Sequence, residues 1–359
     1  MQAPITPTES ISSLQGRPQL FFFCELDGAA LGRLLAGPQL LPLLTANGYG
    51  VALATRDLDA ATAAAVRLLN QHRVPLVAWL LLAPAEGFWL NLQNYPQAIE
   101  RYHAFAAWAR AYNLVFNAVG LDIGPPASIL DHLRRWGGRH ILRRIWQAHE
   151  NTLFPAARAA YSDLIAEIHH DGYEVHTYQL PILADDRRAG TTLAQRTLDI
   201  VDLPADVEVL MCYSSVPVEA LDHDLGGALI SSYGPNADGI AVGAIGAHGA
   251  RDAGDALPPL TWEALERDLI LAAHHTDVIY VDSLEGCLER GLLPRIGQIN
   301  WEAEPQVALW KRLSVSVARG LLLTGLLFTR FSRAILAWLG WGLFALLLAR
   351  RLRATISRQ

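Results

Sequence analysis

Between residues 19 and 283 short apolar runs alternate with longer stretches of helical spacing, and the alternation repeats eight times. Few folds accommodate such a chain. Strands that each hand over to a helix build a parallel sheet, because parallel neighbours need a long crossover connection. The runs read as strands are 19–26, 50–56, 74–83, the stretch around Asp122 within 116–126, 174–180, 208–213, 239–245 and 277–283. The run 74–83 is apolar throughout, as a strand covered on both faces requires. Eight such units predict a (β/α)8 TIM barrel over residues 19–312, with a length near the usual size for that fold. An open doubly wound sheet is the rival, but no G-x-G-x-x-G follows the first run, which weakens a dinucleotide-binding version.

Helices are predicted over 29–46, ending before Asn47-Gly48, over 60–72 with Asp59 as cap, and over 96–112 and 192–202. Another is expected over 261–274, whose opening T-W-E-A-L-E puts acidic residues in the first turn, where the helix dipole favours them. The region 127–170 is too long for one crossover helix and is expected to break near Gly137-Gly138 and Pro155. Residues 1–18 are polar and rich in Pro and Ser. They lack a basic stretch followed by an apolar one, so they read as a flexible N-terminus without a signal peptide, leaving the barrel on the cytoplasmic side.

Composition matters most at the other end. Hydrophobic residues make up 52% and charged residues 18%, which calls for a large core or for contact with lipid. Residues 313–349 contain no Asp or Glu, and 334–349 carry no charge at all between Arg330 and Arg333 on one side and Arg350, Arg351 and Arg353 on the other. About 16 residues cover about 24 Å of helix, short of a ~30 Å hydrocarbon core, and arginine stems can make up the difference. A C-terminal hydrophobic helical membrane segment is therefore expected over 313–359, with membrane contact through 313–353. It could be a single span, a hairpin turning near 330–333, or an interfacial helix. Arg312, Arg319, Arg330 and Arg333 fall within about 60° on a helical wheel, as the last of these requires. The net charge of -6 and pI near 6.0 argue against a nucleic-acid partner. Cys24, Cys212 and Cys287 are distant and odd in number, so they read as buried thiols and not as a disulfide framework or zinc site.

A barrel keeps its chemistry at the C-terminal ends of its strands. In the fourth run Val119, Leu121 and Ile123 alternate with Ala118, Gly120, Asp122 and Gly124, which puts one carboxylate on an otherwise small face. The polar set at the strand ends is then Glu25, Asp27, Arg56, Asp57, Glu86, Trp89, Asp122, His176, Tyr178, Gln179, Tyr213, Ser214, His248, Asp282 and Glu285. Asp122, Glu25 and Glu285 are the candidate catalytic residues, because two carboxylates can divide acid and base or nucleophile roles across a glycosidic bond. Trp89, His176, Tyr178, Gln179 and Tyr213 are the candidate substrate-binding residues, their rings or polar tips suiting a sugar. His169-His170 and His274-His275 sit at helix ends and read as dipole partners. No H-x-E or H-E-x-x-H spacing supports a metal, and no cofactor is expected. The glycines of 243–249 could instead cradle a phosphate.

The text N-A-V-G-L-D-I-G at 117–124 resembles the D-x-x-D-x-D-x-E strand of family-18 chitinase-like barrels. Asn117 falls at the first aspartate, Gly120 at the second, Asp122 at the third and Gly124 at the glutamate, the general acid of that family. More broadly, V-P-L-V-A-W-L-L-L, V-G-L-D-I, V-L-M-C-Y-S-S and S-L-E-G-C resemble an uncharacterised bacterial family of glycosidase-like barrels. The resemblance implies a carbohydrate or glycolipid partner. Gly124 has no side chain, so another residue must supply the proton, or the barrel binds or scaffolds without catalysis.

Overall fold

A computed structural model describes residues 17–129, 138–216, 224–245 and 259–356. The eight strands are β1 (Gln19–Cys24), β2 (Gly50–Ala54), β3 (Leu76–Leu80), β4 (Ala118–Asp122), β5 (Glu174–Gln179), β6 (Val207–Met211), β7 (Gly239–Gly243) and β8 (Val278–Asp282). Each pairs in parallel with the next, and β8 closes on β1 with Phe21 opposite Tyr280 and Phe23 opposite Asp282. The sheet is thus a closed (β/α)8 barrel and not the open doubly wound alternative. Strands are shorter than the apolar runs that announce them. In 74–83 the ladder covers only Leu76–Leu80, yet Val74, Leu81 and Leu82 are buried as well. Burial outlasts pairing, so the apolar run overstates the strand.

Alternation sorts side chains into two cores. Phe22, Val51, Leu53, Ala78, Val119 and Leu121 pack outward against the helices. Phe21, Phe23, Trp79, Tyr178 and Tyr280 fill the lumen. Phe23 meets Trp79, Tyr178 and Tyr280 with ring centroids 4.7, 4.8 and 5.2 Å away. Such pairs add about 0.5–1.5 kcal/mol each beyond simple burial. Five large rings fit because β2, β4 and β7 contribute Ala52, Ala54, Ala118, Gly120, Gly239 and Ala241. A Cβ on Gly120 would stand 2.5 Å from the Tyr178 hydroxyl. The small face of the fourth run therefore makes room for the bulky Tyr178 of its neighbour β5.

Several helices have the expected caps. The Asp59 carboxylate accepts from Thr62 N–H at 2.8 Å to start Ala60–Gln71, and the Thr261 hydroxyl accepts from Ala264 N–H at 3.2 Å to start Trp262–Ala273. Where one helix was expected over 29–46 there are two, Gly28–Leu35 and Leu40–Asn47. Gly37-Pro38 separates them, and Pro cannot donate within a helix. The break expected at Pro155 falls before it instead. The helix Leu153–His170 begins two residues earlier, because Pro is tolerated in a first turn. The helix expected to 202 ends at Leu198, where Asp199 turns left-handed at φ 54°.

One continuous helix, Leu309–Ile356, ends the described chain. Its 48 residues span about 72 Å at 1.5 Å per residue. It passes through Arg330–Arg333 unbroken, so there is no hairpin turn there. Its arginines hold it to the barrel. Arg319 pairs with the fully buried Asp185 at 2.7 Å, donates to Asn236 Oδ1 at 2.7 Å and lies 4.1 Å from the Tyr233 ring centroid. Arg330 donates to the Ala189 carbonyl at 2.8 Å. Arg319 and Arg330, grouped on the wheel as a membrane-surface stripe, thus point at protein. Leu309–Ser332 is by length and composition a candidate membrane span.

Candidate functional site

The site is built upward from the aromatic layer in the lumen. Strand β4 ends at Asp122, on the same face as Ala118 and Gly120. Its side chain is 5% exposed, and Oδ2 accepts the Trp79 indole N–H at 3.1 Å. Trp79 and Tyr178 meet edge to face at 6.5 Å. Burial raises the Tyr178 phenol well above its ordinary pKa, with Tyr280 and the Asp122 charge adding to the effect. Tyr178 therefore stays a neutral phenol at physiological pH.

The loop after β3 folds back over β4. Leu90 N–H donates to the Asp122 carbonyl at 2.9 Å, and Gly124 N–H donates to the Leu90 carbonyl at 3.1 Å. Asn94 holds this loop by donating from Nδ2 to the carbonyls of Glu86 and Trp89, both at 2.9 Å. The half-buried Trp89 is thereby laid against Gly124, where a Cβ would approach its Cβ and Cγ to 2.9 Å. Trp89 thus fills the space that a side chain at position 124 would need.

The other predicted carboxylates have local duties. Glu285 Oε1 accepts the backbone N–H groups of Glu25 and Leu26 at 2.7 and 3.1 Å. It sits in the first turn of Leu284–Glu289, capped by Ser283, and clamps the end of β1 to that helix. Beneath it, burial raises the Cys24 thiol well above its usual pKa, and the Glu285 charge adds to this. Glu25 lies 3.8 Å from Arg56, which also donates to the Glu25 carbonyl at 2.6 Å.

The predicted binding residues divide. Tyr178 is in the lumen, and the half-buried Tyr213 packs against the same cluster. His176 lies a layer deeper, toward the strand starts, with Nδ1 2.5 Å from the Tyr280 hydroxyl and Nε2 3.7 Å from Glu174. Gln179 is on the opposite face of β5 from Tyr178, buried among the helices, and donates to the Thr177 hydroxyl at 2.9 Å. His248 and most of the 243–249 stretch lie outside the described residues. Among the described residues no group of three or more His, Cys, Asp or Glu is placed to hold a metal.

Two residues gain weight from the structure. Trp79 was hidden in a run apolar on both faces, so nothing local told its inward position. Asp282 ends β8 two residues after the lumen residue Tyr280 and beside Gly243, and the spacing Y-V-D signals that shared face. A small pocket lined by Gln19, Gly48, Tyr49, Ile296 and Trp301 lies at the strand-start end. It brings no carboxylate.

Comparison with protein families and with curated protein sequences finds no match. Among solved structures the chain is similar to a GH18 chitinase from Pseudoalteromonas aurantia, with 12% identity and a TM-score of 0.44 over 78% of this chain and 99% of that one. It is similar to the PgaB glycoside hydrolase domain from Bordetella bronchiseptica, with 10% identity and a TM-score of 0.44 over 80% and 100%. It is also similar to a D-allulose 3-epimerase from Methylomonas sp., with 12% identity and a TM-score of 0.41 over 84% and 98%. Function rests on the site's own residues.

Proposed function

We propose that the chain is a membrane-associated, glycoside-hydrolase-like barrel that holds a glycan at its strand tops, with Asp122 as the central polar group. The observation that carries this reading is the bond from Trp79 to Asp122 above a floor of packed rings. A carboxylate set among aromatic faces suits a sugar, whose hydroxyls donate and whose ring faces are apolar. Binding without hydrolysis fits the geometry best. Gly124 offers no acid and is packed under Trp89, Glu285 is engaged with β1 amides, and Glu25 is engaged with Arg56.

Hydrolysis is the second reading, favoured by one observation. Asp282 ends a strand on the inward face, as Asp122 does, so two carboxylates flank one lumen. A glycan array paired with a turnover assay separates the two. Binding that is lost in Asp122→Asn, with no product released by the unaltered chain, supports the binding reading. Product release abolished by Asp122→Asn supports hydrolysis, and no glycan bound at all sinks both.

A further inference from the structure

The C-terminal helix has two unlike halves, and together they orient the barrel. In the first half Arg319 and Arg330 face the barrel. Trp310, Leu313, Val317, Leu321, Phe328 and Phe331 are all exposed and lie about 100° or more away from those arginines on a wheel of 100° per residue. Over residues 336–348 of the second half exposure is complete. Every residue from 336 to 348 is exposed, and its large side chains include Trp338 at 79% and Phe344 at 58%. A second protein copy would cover one side of such a cylinder. Only lipid covers all sides, and basic residues bracket the stretch.

The direction of the helix follows from its contacts. Near its start Lys311 lies 3.8 Å from Asp224, which precedes the helix Gly226–Tyr233 at the strand-top level. Arg319 reaches Ser232 and Asn236, at the opposite end of that helix and just before β7 begins. The C-terminal helix therefore runs alongside Gly226–Tyr233 from strand tops toward strand starts. After Arg330 it leaves the barrel on the strand-start side. Although Leu309–Ser332 passes as a candidate span by length and composition, its arginine pairs hold it against protein.

We infer that residues 336–348 enter a lipid bilayer and that the strand-start end of the barrel faces that bilayer, so the strand-top end that carries Asp122 faces away from it. Resting on the glycan reading above, this names the substrate class: a soluble or polymeric glycan, and not a headgroup of the same membrane.

The test uses the full chain on phosphatidylcholine vesicles with and without phosphatidylglycerol. An environment-sensitive fluorophore is attached singly at Leu343→Cys, Asp277→Cys beside the β8 start, or Ala85→Cys beside the β3 end, with the unaltered chain as the labelling control. Nitroxide-bearing lipid is the quencher. Expected are severalfold quenching at 343, weaker quenching at 277 and the least at 85. No quenching at 343, or more at 85 than at 277, overturns the orientation. Binding of soluble oligosaccharides is then compared with binding of a glycolipid carried in the same vesicles. Preference for the soluble glycan supports the substrate class, and preference for the vesicle glycolipid overturns it. If neither binds, the glycan reading and its substrate class fail, while the quenching order still decides the orientation.

Discussion

The Trp89 indole occupies the space that a side chain at Gly124 would need, with its Cβ and Cγ both 2.9 Å from the position of a Gly124 Cβ. The two residues come from different strand–loop units and meet because the loop after β3 bonds back to β4 through Leu90. Gly124→Ala should therefore lower stability by about 1–3 kcal/mol through overpacking. In Trp89→Gly, which removes both of those atoms, the same change should cost clearly less. Denaturant midpoints of the two single variants and the double variant measure that coupling.

Trp79→Phe keeps a ring in the aromatic layer but deletes the N–H that Asp122 accepts. Hydrogen bonds to charged groups contribute about 1.5–3 kcal/mol, so a loss of that order in unfolding free energy is expected. A glycan that uses Asp122 should also bind more weakly, as titration calorimetry would show. Unchanged stability would mean that the bond carries no weight.

Alkaline pH should unfold the barrel from within. Burial raises the phenols of Tyr178, Tyr280 and Tyr161 above their usual value. A raised folded-state pKa means the folded chain keeps protons that the unfolded chain releases, so stability falls as pH climbs past the unfolded tyrosine value of about 10. The contribution is fully present below that pH. Thermal midpoints between pH 8 and 11.5 should hold level and then drop, and Tyr178→Phe should blunt the drop.

Arg319 and Asp185 form a buried pair at 2.7 Å, with Tyr233 donating to the other Asp185 oxygen at 2.7 Å. Removing one partner of such a pair costs about 3–5 kcal/mol. Arg319→Ala should release the first half of the C-terminal helix, read as faster amide exchange and earlier proteolysis over 309–332, while the lumen strands keep their protection.

Much of the barrel was legible because strand burial is a local property of composition. Phe21–Phe23, Leu76–Leu80 and Ile279–Val281 are buried and hydrophobic on both faces, and the helical spacing between such runs leaves few ways to pair them. The place of Asp122 at a strand end was legible too, since alternation sets its face. The same both-faced burial concealed Trp79, because a run without alternation does not say which side is in. Gln179 shows the cost of one position: next to Tyr178 in sequence, it points to the other core.

From the sequence alone came the eight strand–helix units, the inward face of β4 and the long uncharged stretch near the C-terminus, all products of local periodicity and composition. The tertiary structure decided who meets whom. It put Trp89 on Gly124, Glu285 on the amides of β1, and Arg319 on Asp185, pairs separated by 35 to 260 residues in the chain. Such contacts depend on barrel closure and on how loops return across it. A side chain's partner, unlike its face, is therefore not encoded in its neighbours.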